Sequence, residues 1–294
     1  MGFFATMNFL GKKVVITGAS LGLGRALAQG FVREGAHVLL CARNAEPLEK
    51  TACELKSETQ PGQKILWNAC DVSDEQQANE LAATALRELG GCDVLVNNAG
   101  VLGSVGPLEE VPWSEWKRAV EINLHGTVLP CRAFIPMMKQ QARGKIINLS
   151  GGGATSPRPF FSAYAAAKTA VVRVTEILAE ELRPFHIEVN AIAPGALHTR
   201  LTEQGLEAGP DKMGQPAYDD MLRIAQGGGD SPEQAVALTF FLASPASDGI
   251  SGRLISARWD AWRELAAHRD ELGDIYTLRR IVPGDRAKDW GGGA

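Results

Sequence analysis

No Cys-x-x-Cys pair occurs in this sequence, and its five cysteines (Cys41, Cys53, Cys70, Cys92 and Cys131) are odd in number and widely spread. Such spacing argues against a disulfide framework and against a zinc site. Cys41 closes an apolar run of strand length, where a buried thiol is expected. The compartment expected is therefore the reducing cytosol. Long hydrophobic runs are missing too: none approaches the about 18 residues needed to cross a bilayer, so no membrane partner is expected. Net charge is −4 with no basic stretch, which excludes nucleic acid as a first expectation. Met1 to Leu10 is apolar but has no charged n-region or cleavage pattern, so no secretory leader is read there. Gly2 with Thr6 fits a loose myristoylation pattern, against which bulky Phe3 counts. Internal repeats and linker-like stretches are also absent. A hydrophobic share of 45% with 22% charged residues suits a chain that buries a sizeable core. One globular domain over residues 1–257 is expected, with 258–294 as an extension.

What is present is an alternation of buried-strand and helical patterns. Lys12 to Thr17 is apolar on both faces, as in a parallel sheet. A glycine turn, Gly18-Ala19-Ser20-Leu21-Gly22-Leu23-Gly24, leads from it into a helical stretch, Arg25 to Glu34. Glycines there let a backbone approach a pyrophosphate, and the free N–H groups of a helix start bind it. Further strands are read at His37–Ala42, Lys64–Asn68, Asp93–Val96, Lys145–Ser150, Ile187–Ile192 and Arg253–Ser256. Helices are expected at 45–59, after a Ser73/Gln76 capping box, at 114–141 with bends at Pro130 and Pro136, from Ser162 to about Arg183, and at 232–243. Asn123, inside the long helix, has poor helix propensity, and on that ground alone its plain reading is a solvent-facing side chain. Residues 199–229, punctuated by Gly and Pro, read as a mobile loop over the site. The pattern predicts an α/β fold: a doubly wound, Rossmann-type parallel sheet of seven strands with helices on both faces. Ligands in such sheets lie beyond the carboxyl ends of the strands, where Gly18, Arg43, Asp71 and Asn97 all fall.

The stretch from Gly144 to Lys168 carries the chemistry. It places Tyr164 and Lys168 four apart on one helix face, a phenol beside an ammonium. A free tyrosine titrates near about 10, so a base working at neutrality needs a shift of roughly 3 units, or about 4 kcal/mol. A neighbouring cation pushes that way.

Together these residues resemble the short-chain dehydrogenase/reductase family in its single-domain form. The resemblance runs from about Gly11 to Ser256 and rests on Thr17-Gly18-x-x-x-Gly22-x-Gly24, Asn97-Asn98-Ala99-Gly100, Asn123, Tyr164-x-x-x-Lys168 and Pro194-Gly195. It implies an NAD(P)-dependent oxidoreductase that transfers hydride between a nicotinamide cofactor and a secondary alcohol or ketone. Tyr164 would be the acid/base. Lys168 would hold the ribose and lower the tyrosine pKa, and Asn123 would anchor a water relay to it. Cofactor contacts would come from Gly18, Ser20, Gly22, Leu23, Gly24, Arg43, Asp71, Val72, Asn97, Ala99, Gly100, Pro194, Gly195 and Thr199, besides Tyr164 and Lys168. A homo-oligomer, dimer or tetramer, is implied as well, with a small-molecule substrate and no metal.

Two departures stand out. The family's carbonyl-polarising serine falls on Gly151, which leaves Ser150 as the preferred substitute and Thr155 or Ser156 as others. Losing one such donor costs on the order of 10²–10³ in rate. Gly151 also favours the main alternative, a non-catalytic dinucleotide-binding sensor or scaffold. A sugar-nucleotide epimerase or dehydratase is disfavoured by the glycine spacing and by the lack of a substantial C-terminal domain. At the second strand's end, Ala42-Arg43 replaces the acidic residue of NAD enzymes, so NADP is preferred, with NAD possible. The other departure is the tail, with Trp259, Trp262 and Trp290. It is expected to cover both leading tryptophans by packing on the core or a neighbouring subunit. Arg279-Arg280 there reads as solvated charge or a subunit contact rather than a seat for an anionic substrate.

Overall fold

The computed structural model describes residues 9–288; the first eight residues of the apolar start and Trp290 lie outside them. Seven strands, β1 (Lys13–Thr17), β2 (His37–Ala42), β3 (Ile65–Ala69), β4 (Val94–Asn97), β5 (Gly144–Leu149), β6 (Ile187–Ala193) and β7 (Leu254–Ser256), form one sheet in the order β3-β2-β1-β4-β5-β6-β7. Every pairing is parallel. Strand order reverses between β1 and β4, and at such a switch point the loops diverge and leave a crevice. The doubly wound sheet read from the sequence is the one observed.

Helices α1 (Gly22–Arg33), α2 (Ala45–Lys56), α3 (Glu75–Thr84), α4 (Trp113–Val120), α5 (Gly126–Gln141), α6 (Ser162–Leu182), α7 (Arg200–Ala208), α8 (Pro210–Met213), α9 (Gln215–Arg223) and α10 (Pro232–Ala243) surround it. One core face joins Val14, Ile16, Val38 and Leu40 to α1 and α10. Phe9, Phe31 and Phe240 cluster there with centroids 4.5–5.1 Å apart. The other face joins Val15, Leu39 and Leu95 to Phe134 and Met138 of α5 and Leu182 of α6. Alternate residues of one strand thus feed opposite cores, as the two-residue period requires.

Four local expectations change. The cap of α3 is Asp74, whose carboxylate accepts from Gln77 N at 2.9 Å, while Ser73 instead donates to Asp71. The 114–141 helix breaks at neither proline, since both lie within α5; it breaks at a π-helical turn, Glu121–His125, centred on Asn123. Asn123 is fully buried rather than solvated, because its amide serves the backbone of neighbouring segments. Residues 199–229 are a helical cap of α7, α8 and α9 rather than an irregular loop; Leu201, Leu206, Met213, Met221 and Tyr218 give it an apolar underside.

In the tail, Trp262 is buried against Phe241, whereas Trp259 stays 76% exposed with Arg258 stacked on it. The chain then returns beside β7, where Leu254 N donates to Tyr276 O at 2.8 Å. Arg253 Nη1 donates to the carbonyls of Gly273 and Ile275, each at 2.8 Å. Arg279 pairs with Asp274 and Asp285 within the tail. All five cysteines are free. Among the described residues no helix is long and apolar enough to cross a membrane, and no cluster of potential ligands could hold a metal ion.

Candidate active site

A cleft of about 1350 Å³ opens at the carboxyl ends of the strands. Its outer end is built on the β1–α1 turn. Gly18 takes φ +64°, which an L side chain rarely adopts, and a Cβ on it would stand 2.9 Å from Ala99 Cα. Gly24 lets α1 close on that turn: a Cβ there would lie 2.2 Å from Gly18 O. Thr17 Oγ1 accepts from the N–H groups of Asn98 and Ala99, both at 3.0 Å, and ties β1 to β4. Asn98 Nδ2 donates to Thr17 O at 2.9 Å and Gly18 O at 3.1 Å. No side chain caps α1, so its first N–H groups remain available to an anion.

Gly18, Ser20, Gly22 and Leu23 line this end, with Arg43, Asp71, Val72, Ala99 and Gly100. Arg43 is exposed at the end of β2. Asp71 is held by Ser73 and Arg118. Burial alone would raise its carboxyl pKa, and the Ser73 hydrogen bonds and the Arg118 guanidinium carry it below the usual value. Gly24 and Asn97 fall outside the lining. Asn97 shares the parity of Leu95 and turns toward α5, donating to Asn148 Oδ1 at 2.9 Å; Asn148 in turn donates to Thr175 Oγ1 at 2.9 Å. Of the two adjacent asparagines, Asn98 is the one that braces the glycine turn. Strand alternation carries that distinction, since Asn98 follows Val94 and Val96 rather than Leu95.

Tyr164 and Lys168 stand at the inner end, on successive turns of α6. Both line the cleft and both are buried. Lys168 Nζ donates to Leu149 O at 2.8 Å and lies 5.8 Å from the centre of the Tyr164 ring. Burial lowers the Lys168 pKa to about 8. Burial raises the Tyr164 pKa, and the cation that opposes the rise is Arg158 rather than Lys168. Gly151 abuts the phenol: a Cβ there would stand 2.3 Å from the Tyr164 hydroxyl. Ser150 reaches the cleft, but its Oγ faces the Lys168 carbonyl at 3.4 Å. Thr155 also lines the cleft; Ser156 does not.

Asn123 does not line the cleft but shapes it. Its Oδ1 accepts from Val101 N at 3.2 Å, and its Nδ2 donates to Val101 O at 2.8 Å and Ala119 O at 2.9 Å. A Cβ on Gly100 would stand 2.9 Å from Asn123 Oδ1, too close for a side chain, and 3.5 Å from Lys168 Nζ, an ordinary contact. Pro194, Gly195 and Thr199 line the remaining wall. Asp230 fixes it, accepting from Ala196 N at 2.7 Å and pairing with Arg258 of the tail. Asp230 and Arg158 carried no motif signal, although Arg158 is the one charged residue between Gly151 and Tyr164.

The model of the family described as short chain dehydrogenase matches residues 12–208. The chain belongs to that family. Dehydrogenase/reductase SDR family member 4 of Homo sapiens is 31% identical to it over 244 residues, 83% of this chain and 85% of the relative. Levodione reductase of Leifsonia aquatica is 33% identical over 244 residues, 82% of this chain and 91% of its own. Short chain dehydrogenase mpl6 of Monascus purpureus is 34% identical over 277 residues, 92% of this chain and 89% of its own, a match long enough to enter the tail. Two solved structures, a levodione reductase and an NAD+-bound xylitol dehydrogenase, superpose with TM-scores of 0.77 at 29% and 28% identity. They cover 88% and 84% of this chain and 99% and 98% of their own. With relatives named dehydrogenases and reductases throughout, the chain is placed among oxidoreductases.

Proposed function

We propose that the protein interconverts a secondary alcohol and a ketone with a nicotinamide dinucleotide, NADP(H) in preference to NAD(H). The observation that carries this reading is the pairing of two ends in one cleft. An uncapped helix start above a glycine turn lies at one end, and a buried phenol with a buried ammonium lies at the other. The cradle fits a dinucleotide, because Gly18 takes a φ that side chains rarely adopt and a Cβ on it or on Gly100 would strike neighbouring protein atoms. The turn and the β4 loop therefore face the cleft with bare backbone. When bound, the nicotinamide supplies or accepts the hydride. Tyr164 gives the proton to the carbonyl oxygen in reduction and takes it from the hydroxyl in oxidation. Lys168 has one N–H on Leu149 O and two left for ribose hydroxyls. Asn123 holds Val101 and serves as the anchor of a water relay to Lys168. Ser150 is the hydroxyl we assign to the substrate oxygen's second hydrogen bond, which requires it to leave the Lys168 carbonyl. The alternative of a non-catalytic sensor draws on Gly151, but a sensor has no use for the buried Tyr164 and Lys168.

Arg43 decides the cofactor. Its exposed guanidinium at the end of β2 suits a 2′-phosphate, which only NADP carries. Arg43→Ala is expected to weaken NADP(H) binding by roughly tenfold and leave NAD(H) within about twofold, a charged hydrogen bond being the difference. Titration of each cofactor into both proteins checks this; equal dissociation constants in the parent would overturn the preference.

Gly151 gives a second test. Replacing it with Ser restores the residue usual in the family but drives a Cβ into the Tyr164 hydroxyl. Overpacking of this kind costs about 1–3 kcal/mol of stability, and shifting the phenol out of line costs rate, so Gly151→Ser should lower both Tm and kcat/KM, the latter by roughly tenfold or more. A gain in kcat/KM would instead mean that the missing serine limits the enzyme.

A further inference from the structure

Arg158 lies on the loop between β5 and α6 and lines the cleft beside Tyr164. Its guanidinium stacks on the Phe161 ring at 4.1 Å from the centroid. Phe161 is itself fully buried, so the arginine rests on a fixed platform. It is half-buried, yet within the described residues it forms no ion pair and its guanidinium no hydrogen bond. The carboxylate whose charge it feels is Asp220, and that carboxylate is already committed to Arg223 at 2.6 Å. A partly desolvated guanidinium without a carboxylate partner is costly, and its five donors lack acceptors. Arg43 also lines the cleft without an ion pair among the described residues, but it is exposed and stands at the end of β2, where the cofactor reading uses it. The remaining cations are taken. Arg200 pairs with Glu203 and Glu207, Arg223 with Asp220, and Arg258 with Asp230, while Lys168 donates to Leu149 O.

The surroundings define what Arg158 would bind. Leu102, Leu201, Met221 and Ile224 give the adjoining wall of the cleft an apolar character. An occupant must therefore combine an apolar body with an anionic group placed near the reacting carbon. We propose that the substrate is an oxo acid or hydroxy acid, a ketone or secondary alcohol that also carries a carboxylate, and that Arg158 receives that carboxylate. This rests on the oxidoreductase reading for the identity of the reacting group, but not for the anion seat itself. Arg158 acts here as a specificity residue: its fork matches the two carboxylate oxygens, and Phe161 fixes its plane. An anion on Arg158 also cancels the field that opposes the rise in the Tyr164 pKa, which keeps the phenol protonated for ketone reduction.

The test separates binding from turnover. Isothermal titration of 3-phenylpropanoate and of its neutral amide, 3-phenylpropanamide, into the full chain reads the anion seat directly. The parent should bind the carboxylate roughly tenfold more tightly than the amide, the worth of one charged hydrogen bond. Arg158→Met should abolish that preference, and Arg158→Lys should keep part of it, with cofactor affinity unchanged in both as the check on folding. Equal affinity for acid and amide in the parent, no binding of either, or a preference that survives in Arg158→Met overturns the proposal. Turnover of a panel of oxo acids and their methyl esters is measured separately. A bound carboxylate without turnover of any member would overturn the oxo-acid substrate and leave the anion seat standing, whereas the oxidoreductase reading fails only if no ketone or secondary alcohol is turned over.

Discussion

Tyr164→Phe is expected to lower turnover by about 10²–10⁴-fold while leaving cofactor affinity within about twofold. The substitution removes one oxygen from a buried ring whose packing against Leu102, Phe161, Met213 and Met221 is otherwise kept. Stability should change little, because the hydroxyl abuts Gly151 and holds no structural partner whose loss would leave a buried group unpaired. What is lost is the group that can move a proton at the substrate oxygen. Steady-state kinetics beside a cofactor titration separate these effects. A variant retaining turnover within tenfold would falsify the assignment of Tyr164 as acid/base.

The direction of the Tyr164 shift adds a pH dependence. Oxidation needs the phenolate and reduction the phenol. With the folded pKa raised by burial, the phenol is the populated form at neutral pH. The rate of alcohol oxidation should therefore rise with pH above neutrality, and ketone reduction should decline only at the alkaline end. Arg158 opposes the rise from the loop side, while Lys168 is itself depressed to about 8 and loses its charge over the same alkaline range. Profiles of kcat/KM in both directions check this. An oxidation rate that falls from pH 7 to 9 would contradict the assignment.

The sheet was legible because each strand is a short run, most of them apolar on both faces, closed by a polar or glycine-rich turn, a signal that needs no long-range knowledge. His37–Ala42 and Pro232–Ala243 carry such punctuation at both ends, and their limits are those read from the sequence. The cap at 199–229 was not legible: its helices are only 9, 4 and 9 residues long, and Gly209 and Gly214 separate them. Helices so short owe their stability to the apolar underside they share, which local periodicity does not reveal. Asn123 shows the same limit. Its propensity points to solvent, but a π-helical turn places its amide against the backbone of Val101 and Ala119. Arg158 was invisible for another reason: its meaning comes from what fails to meet it in space. Asn97 and Asn98 were legible as a pair, but their division of labour depends on strand parity at the carboxyl end of the central strand.

Trp262→Ala should destabilise the fold more than any other single change in the tail. The indole is about 1% exposed, packs with Phe241 at 5.9 Å between centroids, and donates from Nε1 to Ala257 O at 3.2 Å. Truncating a buried tryptophan costs about 3–5 kcal/mol, a large share of the roughly 5–15 kcal/mol that holds a domain together. A fall in Tm of roughly 10 °C is expected. Trp259→Ala is the matched control: at 76% exposure it should shift Tm by only a degree or two, roughly the worth of a surface contact. Deletion of 258–294 goes further. It removes Trp262, Leu265 and Leu272 from the same core as α1 and α10, and it strips β7 of the bond from Leu254 N to Tyr276 O. That edge would then present unpaired backbone groups next to an opened apolar face, the combination that drives aggregation. Tyr276 and Thr277 would leave the cleft wall with it. Deletion from Arg279 onward spares all of these contacts, so its Tm and kinetics should stay near those of the parent. Thermal melts of the four variants decide the matter: equal Tm for Trp262→Ala and Trp259→Ala would show that the tail is a passive cover rather than part of the core.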